Sequence, residues 1–352
     1  MKIAVIGATG AVGREIIADL EECPVADLQL VALASPRSQG SSLSFRGKHL
    51  TVKAYSPQEI KDCAFVLMSA GSAFSKAHAR DIAQLSQGTV IDNSSAWRMD
   101  PRVPLVVPEI NGALLHHQRH TLIANPNCST IQLVMSLAPL EKIWGLELVN
   151  VVTLQSVSGS GQKGVDELSG QVRAQMNFSE LQSSLYPQPI AFNVLPAIGA
   201  IDGEGFCEEE VKIIAETRKI MDLPGLMIMP STARVPVFYC HSEAVTVKLK
   251  KAVTRGEVLD AWQGKSGLEL HTSNEDFPSP LTHAGKTSVA ISRLRLGPAD
   301  SSSLSGERRS SWLSYWNLAD NIKKGAATNA VQIFTELSSR YQAAVPLGKG
   351  VF

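Results

Sequence analysis

Residues 1–20 read MKIAVIGATGAVGREIIADL. The run Lys2 to Ile6 has the length and composition of a buried strand. Glycines then follow at Gly7, Gly10 and Gly13, and Val12, Ile16, Ile17 and Leu20 recur at helical spacing. Strand, glycine turn and amphipathic helix in this order predict the first βα unit of a parallel sheet. Such a turn lets backbone approach a pyrophosphate at a helix N-terminus. The spacing is GxxGxxG rather than GxGxxG, which supplies the same tight turn; a purely structural βα turn is the competing reading.

The pattern continues outward. Further strands are expected at 28–34, 64–69, 89–92 and 105–107, with helices at about 12–22 and 75–86. This half reads as a Rossmann-like α/β domain built on a doubly wound parallel sheet. From about Glu147 long stretches alternate apolar and polar residues, at 148–157, 235–250 and 288–296. They predict a second, α+β domain on a mostly antiparallel sheet covered on one face. The Ser-rich stretch 298–311 reads as an exposed loop. The segment 321–341 has helical periodicity and is expected to return to the first domain. The expected division is 1–128 plus 325–352 for cofactor binding and 129–324 for catalysis, substrate binding and dimerisation.

The 352 residues carry 33 basic and 33 acidic side chains, and no dense Lys/Arg run occurs, so a nucleic-acid footprint is not expected. No apolar run approaches the roughly 20 residues that span a bilayer. The glycines interrupt the N-terminal apolar run too early for a secretory signal, so the chain reads as cytoplasmic. Five scattered cysteines without a CxxC pair predict reduced thiols and no structural metal.

The end of the second strand bears on the cofactor. A site for NAD usually places a carboxylate there for the ribose 2′-hydroxyl. Here the chain runs into Ser35, Pro36, Arg37 and Ser38. A guanidinium flanked by hydroxyls suits a 2′-phosphate, which favours NADP over NAD; a solvated loop charge is the alternative for Arg37.

Cys128 lies in NPNCSTIQLVMSL, after the turn formers Asn125, Pro126 and Asn127 and before Ile131, Val134, Met135 and Leu137 at helical spacing. A thiol at a helix N-terminus is stabilised as thiolate and is a candidate nucleophile. Cys63, Cys207 and Cys240 show no comparable turn-to-helix context and read as core residues. A nucleophilic cysteine beside a nicotinamide site implies aldehyde oxidation through a thiohemiacetal and thioester, or its reverse from an acyl phosphate. Proton transfer then needs a nearby acid or base, for which His241 in VPVFYCHSEAVTVKL, close to Arg234, is the best placed of the eight histidines.

These blocks resemble the aspartate-β-semialdehyde dehydrogenases: GATGAVG, NPNCSTIQ, QSVSGSGQKG from Gln155, PIAFNVLP, EEEVKIIAETRKI, RVPVFYCHSE and DNIKKGAATNAVQI occur in the family's order over most of the chain. The resemblance implies NADPH-dependent reduction of L-aspartyl-4-phosphate to L-aspartate-4-semialdehyde with release of phosphate. That step serves lysine, diaminopimelate, threonine, methionine and isoleucine biosynthesis. It makes Cys128 the nucleophile, His241 the general acid/base and Gln155 the residue that orients substrate and thioester. Arg234 is expected to clamp the α-carboxylate and Glu209 to pair the ammonium, while Arg98 and Lys212, assisted by Asn127, bind phosphate. Cofactor contacts are expected from Gly7, Thr9, Gly10, Ala11, Val12, Gly13, Ser35, Arg37, Ser38, Ser158, Gly159 and Asn321. A homodimer paired through the second domain is also implied.

Charge bookkeeping agrees with those roles. An aspartyl phosphate carries two anionic ends and one cationic group, so its site needs at least two cations and one anion. Glu209 and Lys212 are three apart on a helix and share a face, although Glu216 could equally satisfy the lysine. PSTA before Arg234, a Ser in QSVSGSGQKG where Ala is common and the stretch 298–311 depart from the family pattern without removing an assigned group. A reductase of another acyl phosphate and a non-catalytic NADP-binding homologue remain the rival readings.

Overall fold

The computed structural model describes the chain apart from residues 87, 118–119, 274, 276, 300–307 and 345–352. It divides into two units, Met1–Pro126 with Ala326–Phe352, and Asn127–Gly325.

The first unit holds β1 (Lys2–Ile6), β2 (Gln29–Ala34), β3 (Ser42–Phe45), β4 (Lys48–Thr51), β5 (Lys53–Ala54), β6 (Phe65–Met68), β7 (Thr89–Asp92) and β8 (Leu122–Ala124). Six of these form one sheet in the order β5-β2-β1-β6-β7-β8, parallel throughout. All four residues of β6 and of β7 are buried, as expected where both faces of a parallel sheet are covered. The helix Ala11–Glu22 buries Gly13, Ile16, Ile17 and Leu20, and the helix Thr328–Ala344 adds Ala330, Val331, Ile333 and Phe334 to the same core. Phe334 meets Phe65 edge to face at 5.1 Å. A small hairpin of β3 and β4 turns at Arg46 and Gly47, both with positive φ, as a two-residue turn of primed type requires.

One expected strand is absent. Leu105 makes only an isolated parallel bridge to Ala124, and the sheet ends on β8 instead of 105–107. The bridge is made by the Ala124 amide to the Pro104 carbonyl (2.9 Å) and the Val106 amide to the Ala124 carbonyl (3.2 Å), and Pro104, Pro108 and Pro126 lack the N–H groups that would extend it; the Asn111 side chain takes the Val107 amide and the Leu105 carbonyl on the other edge, both at 2.9 Å. The C-terminal helix also starts later than 321. A π-type turn at Lys323–Ala327 precedes it, and Asp320 caps the amides of Ile322 and Lys323.

The second unit holds β9 (Leu146–Gln155), β10 (Met227–Arg234), β11 (His241–Val253), β12 (Leu268–Leu270), β13 (Val289–Leu296) and β14 (Ser310–Ala319), ordered β10-β9-β11-β14-β13-β12. The three central pairings are antiparallel and the two outer ones parallel. One face packs under the helices Cys128–Trp144, Glu208–Met221 and Arg255–Trp262, with Leu133, Leu137, Ile213, Val258 and Trp262 against Val149, Val151, Val245 and Val247. The other face leaves Val152, Met227 and Met229 exposed. The expected strand 235–250 begins six residues late, at His241. Pro236 lacks a ladder donor, and the 235–240 segment instead offers the Val237 and Phe238 carbonyls to the amides of Val157 and Ser158. Pro230 is tolerated because β10 is an edge strand. Of the stretch 298–311, residues 300–307 lie outside the described residues, and Ser310 already belongs to β14. No helix among the described residues is long and apolar enough to cross a membrane.

Candidate active site

The glycine turn is built for close approach. Gly7 has φ +87°, and a side chain on Gly7 would strike the Ser69 carbonyl, while one on Gly13 would strike the Gly7 carbonyl. Gly10 is the N-cap of Ala11–Glu22, and neither a capping side chain nor an acidic residue occupies its first turn. Amides and dipole at that end are suited to an anion. Thr9 Oγ1 donates to Ser38 Oγ at 3.2 Å, which joins the turn to the Ser35–Arg37–Ser38 segment; Ser35 and Arg37 are exposed. The donor set and the glycine cradle fit a dinucleotide phosphate.

In the second unit, Cys128 is the first residue of its helix, half-buried, and Asn127 caps it by accepting from the amides of Ser129 (2.9 Å) and Thr130 (3.3 Å). Asn127 is itself anchored twice. Its amide donates to Glu216 at 2.7 Å and its Nδ2 donates to Glu209 Oε1 at 2.8 Å. Gln155 Nε2 donates to the same oxygen at 3.1 Å, and Lys212 Nζ approaches Oε2 at 3.4 Å. Glu209 is therefore the node that joins the cap of the thiol helix, the end of β9 and a partly exposed lysine. Glu216, the alternative partner of Lys212 on sequence grounds, is buried and holds the Asn127 amide.

A second cluster forms where β10 and β9 end side by side, with Arg234 in register with Gln155. Arg234 Nη1 donates to the Ser156 carbonyl at 2.7 Å, and its buried Nε has no partner among the described residues. His241, fully buried, has Nδ1 3.1 Å from the Ser156 amide, while Nε2 is unpartnered among the described residues. Burial, with the Arg234 cation beside it, pushes the imidazole down to about 3, so it is neutral. A side chain on Gly159 would stand 2.7 Å from Arg234 Nη1 and 3.3 Å from His241 Nε2; glycine keeps that space open.

The structure thus brings Asn127, Cys128, Gln155, Glu209 and Lys212 into one network and Arg234, Gly159 and His241 into another. Ser158 and Asn321, expected at the cofactor, bond to each other at 3.0 Å behind His241. Arg98 is buried in the first unit, with Nε on the Asn125 carbonyl and Nη2 on that of Asn93. Sequence reasoning missed Ser156 and Gly325, whose signals lie only in distant contacts; Glu216, expected only as a possible partner of Lys212, instead holds the Asn127 amide. Cys207 is buried, as expected of a core residue, but it also stands at the N-cap of the helix Glu208–Met221, a helix-start context not expected for it, with its sulfur 3.1 Å from Thr232 Oγ1. Burial pushes the thiols of Cys63 and Cys240 up to about 11 and about 12, which keeps them protonated. Among the described residues no group of three or more His, Cys, Asp or Glu side chains is arranged to hold a metal.

A glycine turn opening a parallel sheet, a thiol on a helix N-terminus and a buried His–Arg pair are the features of the cysteine-dependent nicotinamide dehydrogenases. The chain belongs to the semialdehyde dehydrogenase family: residues 2–118 match that family's NAD binding domain and residues 137–324 its dimerisation domain. It is 40% identical over 337 residues to the aspartate-semialdehyde dehydrogenase of Aquifex aeolicus, covering 94% of this chain and 96% of that one. It is 38% identical over 347 residues to the aspartate-semialdehyde dehydrogenase of Bacillus subtilis, covering 96% and 97%. The crystal structure of aspartate semialdehyde dehydrogenase II from Vibrio cholerae, complexed with ASA, superposes with a TM-score of 0.87 at 39% identity, covering 96% of this chain and 98% of that one.

Proposed function

We propose that the protein is an aspartate-semialdehyde dehydrogenase that reduces L-aspartyl-4-phosphate to L-aspartate-4-semialdehyde and phosphate with NADPH. The observation that carries this reading is the Glu209 node, which ties the cap of the Cys128 helix to Gln155 and Lys212 within one buried network. Cys128 is the nucleophile, because the helix N-terminus favours negative charge on its sulfur. Gln155 orients the acyl group. The guanidinium of Arg234 keeps a buried, unused Nε–H for a carboxylate, and Glu209 receives the α-ammonium. Lys212 takes the phosphate. His241 acts on the carbonyl oxygen through Nε2, with Gly159 leaving it room.

Gly7, Gly10, Gly13 and the uncapped amides at Ala11 and Val12 would hold the cofactor pyrophosphate, and Thr9, Ser35, Arg37 and Ser38 the ribose phosphate that distinguishes NADP. A bound nicotinamide supplies the hydride. The reactive thiol calls for a reducing, cytoplasmic compartment. The exposed Val152, Met227 and Met229 on the open sheet face support a homodimer formed by this unit, in keeping with the name of its family model.

The reading is tested by following NADPH formation from aspartate semialdehyde, NADP+ and phosphate. Cys128→Ala is expected to abolish it, and turnover at the wild-type rate would sink the covalent mechanism. Faster turnover of another acyl phosphate in parallel assays would favour that substrate instead.

A further inference from the structure

Three aromatic rings meet beside the carboxyl ends of the strands in the first unit. β2 and β5 pair in parallel register, Leu33 with Lys53 and Ala34 with Ala54, so Ser35 and Tyr55 leave the sheet as neighbours. The Tyr55 amide also donates to the Ala34 carbonyl at 3.1 Å. On the far side of β1, the chain leaves β6 through Ser69 and Gly71 and enters the helix Ser72–Ser86, where Phe74 and His78 share one face. The Tyr55 and Phe74 rings lie edge to face at 5.1 Å, and His78 stands 4.6 Å from Phe74 and 5.6 Å from Tyr55. In the sheet order β5-β2-β1-β6, the two strands that contribute these rings flank β2 and β1, whose ends carry the Ser35–Ser38 segment and the glycine turn. None of the three rings is fully buried, so the cluster keeps surface that a core role would cover.

We propose that Tyr55, Phe74 and His78 form the wall on which the adenine ring of the dinucleotide packs. This rests on the reading that Ser35, Arg37 and Ser38 hold the ribose 2′-phosphate. In NADP the base is carried on C1′ and that phosphate on C2′ of the same ribose, so a phosphate held by this segment leaves the base beside it, and Tyr55 is the neighbouring residue on the adjacent strand. Dinucleotides lie across the carboxyl ends of the strands in an open parallel sheet, with the pyrophosphate at the glycine turn. The Ser69 carbonyl, which a side chain on Gly7 would strike, holds the chain leading to Phe74 against that turn. An aromatic wall suits a base because every base offers a π-face, whatever its hydrogen-bonding edge. Adenine is common to NAD and NADP, so the rings add affinity for both and leave the choice between them to Arg37.

The full-length protein is titrated calorimetrically with NADP+, NAD+ and adenosine 2′,5′-bisphosphate, unsubstituted and as Phe74→Ala and Tyr55→Ala. Each alanine variant is expected to bind all three ligands about tenfold more weakly, with the ratio of NADP+ to NAD+ affinity held within about twofold. Tyr55→Phe, which keeps the ring, should bind within about twofold of the wild type. Unchanged affinities in both alanine variants would overturn the proposal. A loss confined to NADP+ and the bisphosphate would do so as well, because the rings would then serve only to support Arg37. A second measurement needs no variant to bind: with Phe and Tyr rings protonated in a deuterated background, H2 and H8 of adenine in bound adenosine 2′,5′-bisphosphate are expected to show NOEs to the rings of Phe74 and Tyr55. Their signals are assigned by their loss in Phe74→Leu and Tyr55→Leu, and a bound ligand without those NOEs sinks the inference. Failure of the wild type to bind either dinucleotide would instead sink the functional reading on which it rests.

Discussion

Gly325 is packed against Cys128: a methyl group on its Cα would stand 2.8 Å from Cys128 Cβ and 3.3 Å from Cys128 Cα. Both partners are constrained, one as the first residue of a helix and the other within a π-type turn. Gly325→Ala is therefore expected to displace the thiol. We expect kcat and the rate of Cys128 alkylation by iodoacetamide to fall at least tenfold, about the cost of misplacing a reacting group by a fraction of an ångström. Wild-type alkylation kinetics would show that the turn yields instead.

Gly159→Ala tests the open space before His241. The new methyl would approach Arg234 Nη1 to 2.7 Å, so the guanidinium must leave the Ser156 carbonyl or the turn must shift. The expected outcome is a roughly hundredfold loss in kcat/KM for aspartate semialdehyde. A change within twofold would mean that the substrate does not use this space.

Glu209→Gln keeps the shape of the node but removes its charge. Gln155 and Asn127 retain an acceptor, while Lys212 loses its ion pair. Since the lysine is about one-third exposed, the effect on unfolding free energy is expected to stay within about 1 kcal/mol. KM for aspartate semialdehyde should rise about tenfold or more if the carboxylate pairs the ammonium. An unchanged KM would assign Glu209 a purely structural part.

Arg37→Ala addresses the cofactor. Arg37 is exposed, beside Ser38 and the Thr9 bond. Its loss is expected to raise the KM for NADP about tenfold while leaving that for NAD within twofold, because only NADP carries the 2′-phosphate. Equal effects on both dinucleotides would contradict a 2′-phosphate contact.

Glu243 links stability to pH. It is fully buried, its Oε2 accepts from Asn317 Nδ2 at 2.8 Å, and burial pushes its carboxyl up to about 8 from an ordinary 4.5. Because the folded state holds this proton more tightly than the unfolded chain, the stabilisation is complete below pH 4.5 and is lost as pH rises towards 8. Glu243→Gln should therefore gain on the wild type by roughly 1.4 kcal/mol per pH unit across that window. Urea unfolding at pH 5, 6.5 and 8 measures it, and a constant difference between the two proteins would refute the linkage.

Much of the first unit was legible because its signals are local. The apolar run of β1, the glycines and the helical period lie within twenty residues, and each constrains the next. The 105–107 segment has strand composition too, but Pro104, Pro108 and Pro126 lack the donors that would extend its pairing with Ala124. The same holds for 235–240, where Pro236 was the available warning. At the site, Cys128 was readable from Asn127 and the helical period after it; Cys207 is buried as expected, and its place at a helix start went unread.

The sequence by itself determined a parallel, glycine-opened first domain, a cysteine at a helix N-terminus, and a set of charged residues matched to an anionic amino-acid substrate. Only the tertiary structure decided how those groups are held. It placed Glu209 between Asn127 and Gln155, Gly325 on Cys128, and Asn321 behind Ser156 and His241. The physical reason is that backbone conformation and helix caps are set by neighbours in the chain. Hydrogen bonds among segments far apart in sequence depend on which surfaces the packed core brings together, and no spacing rule along the chain encodes them.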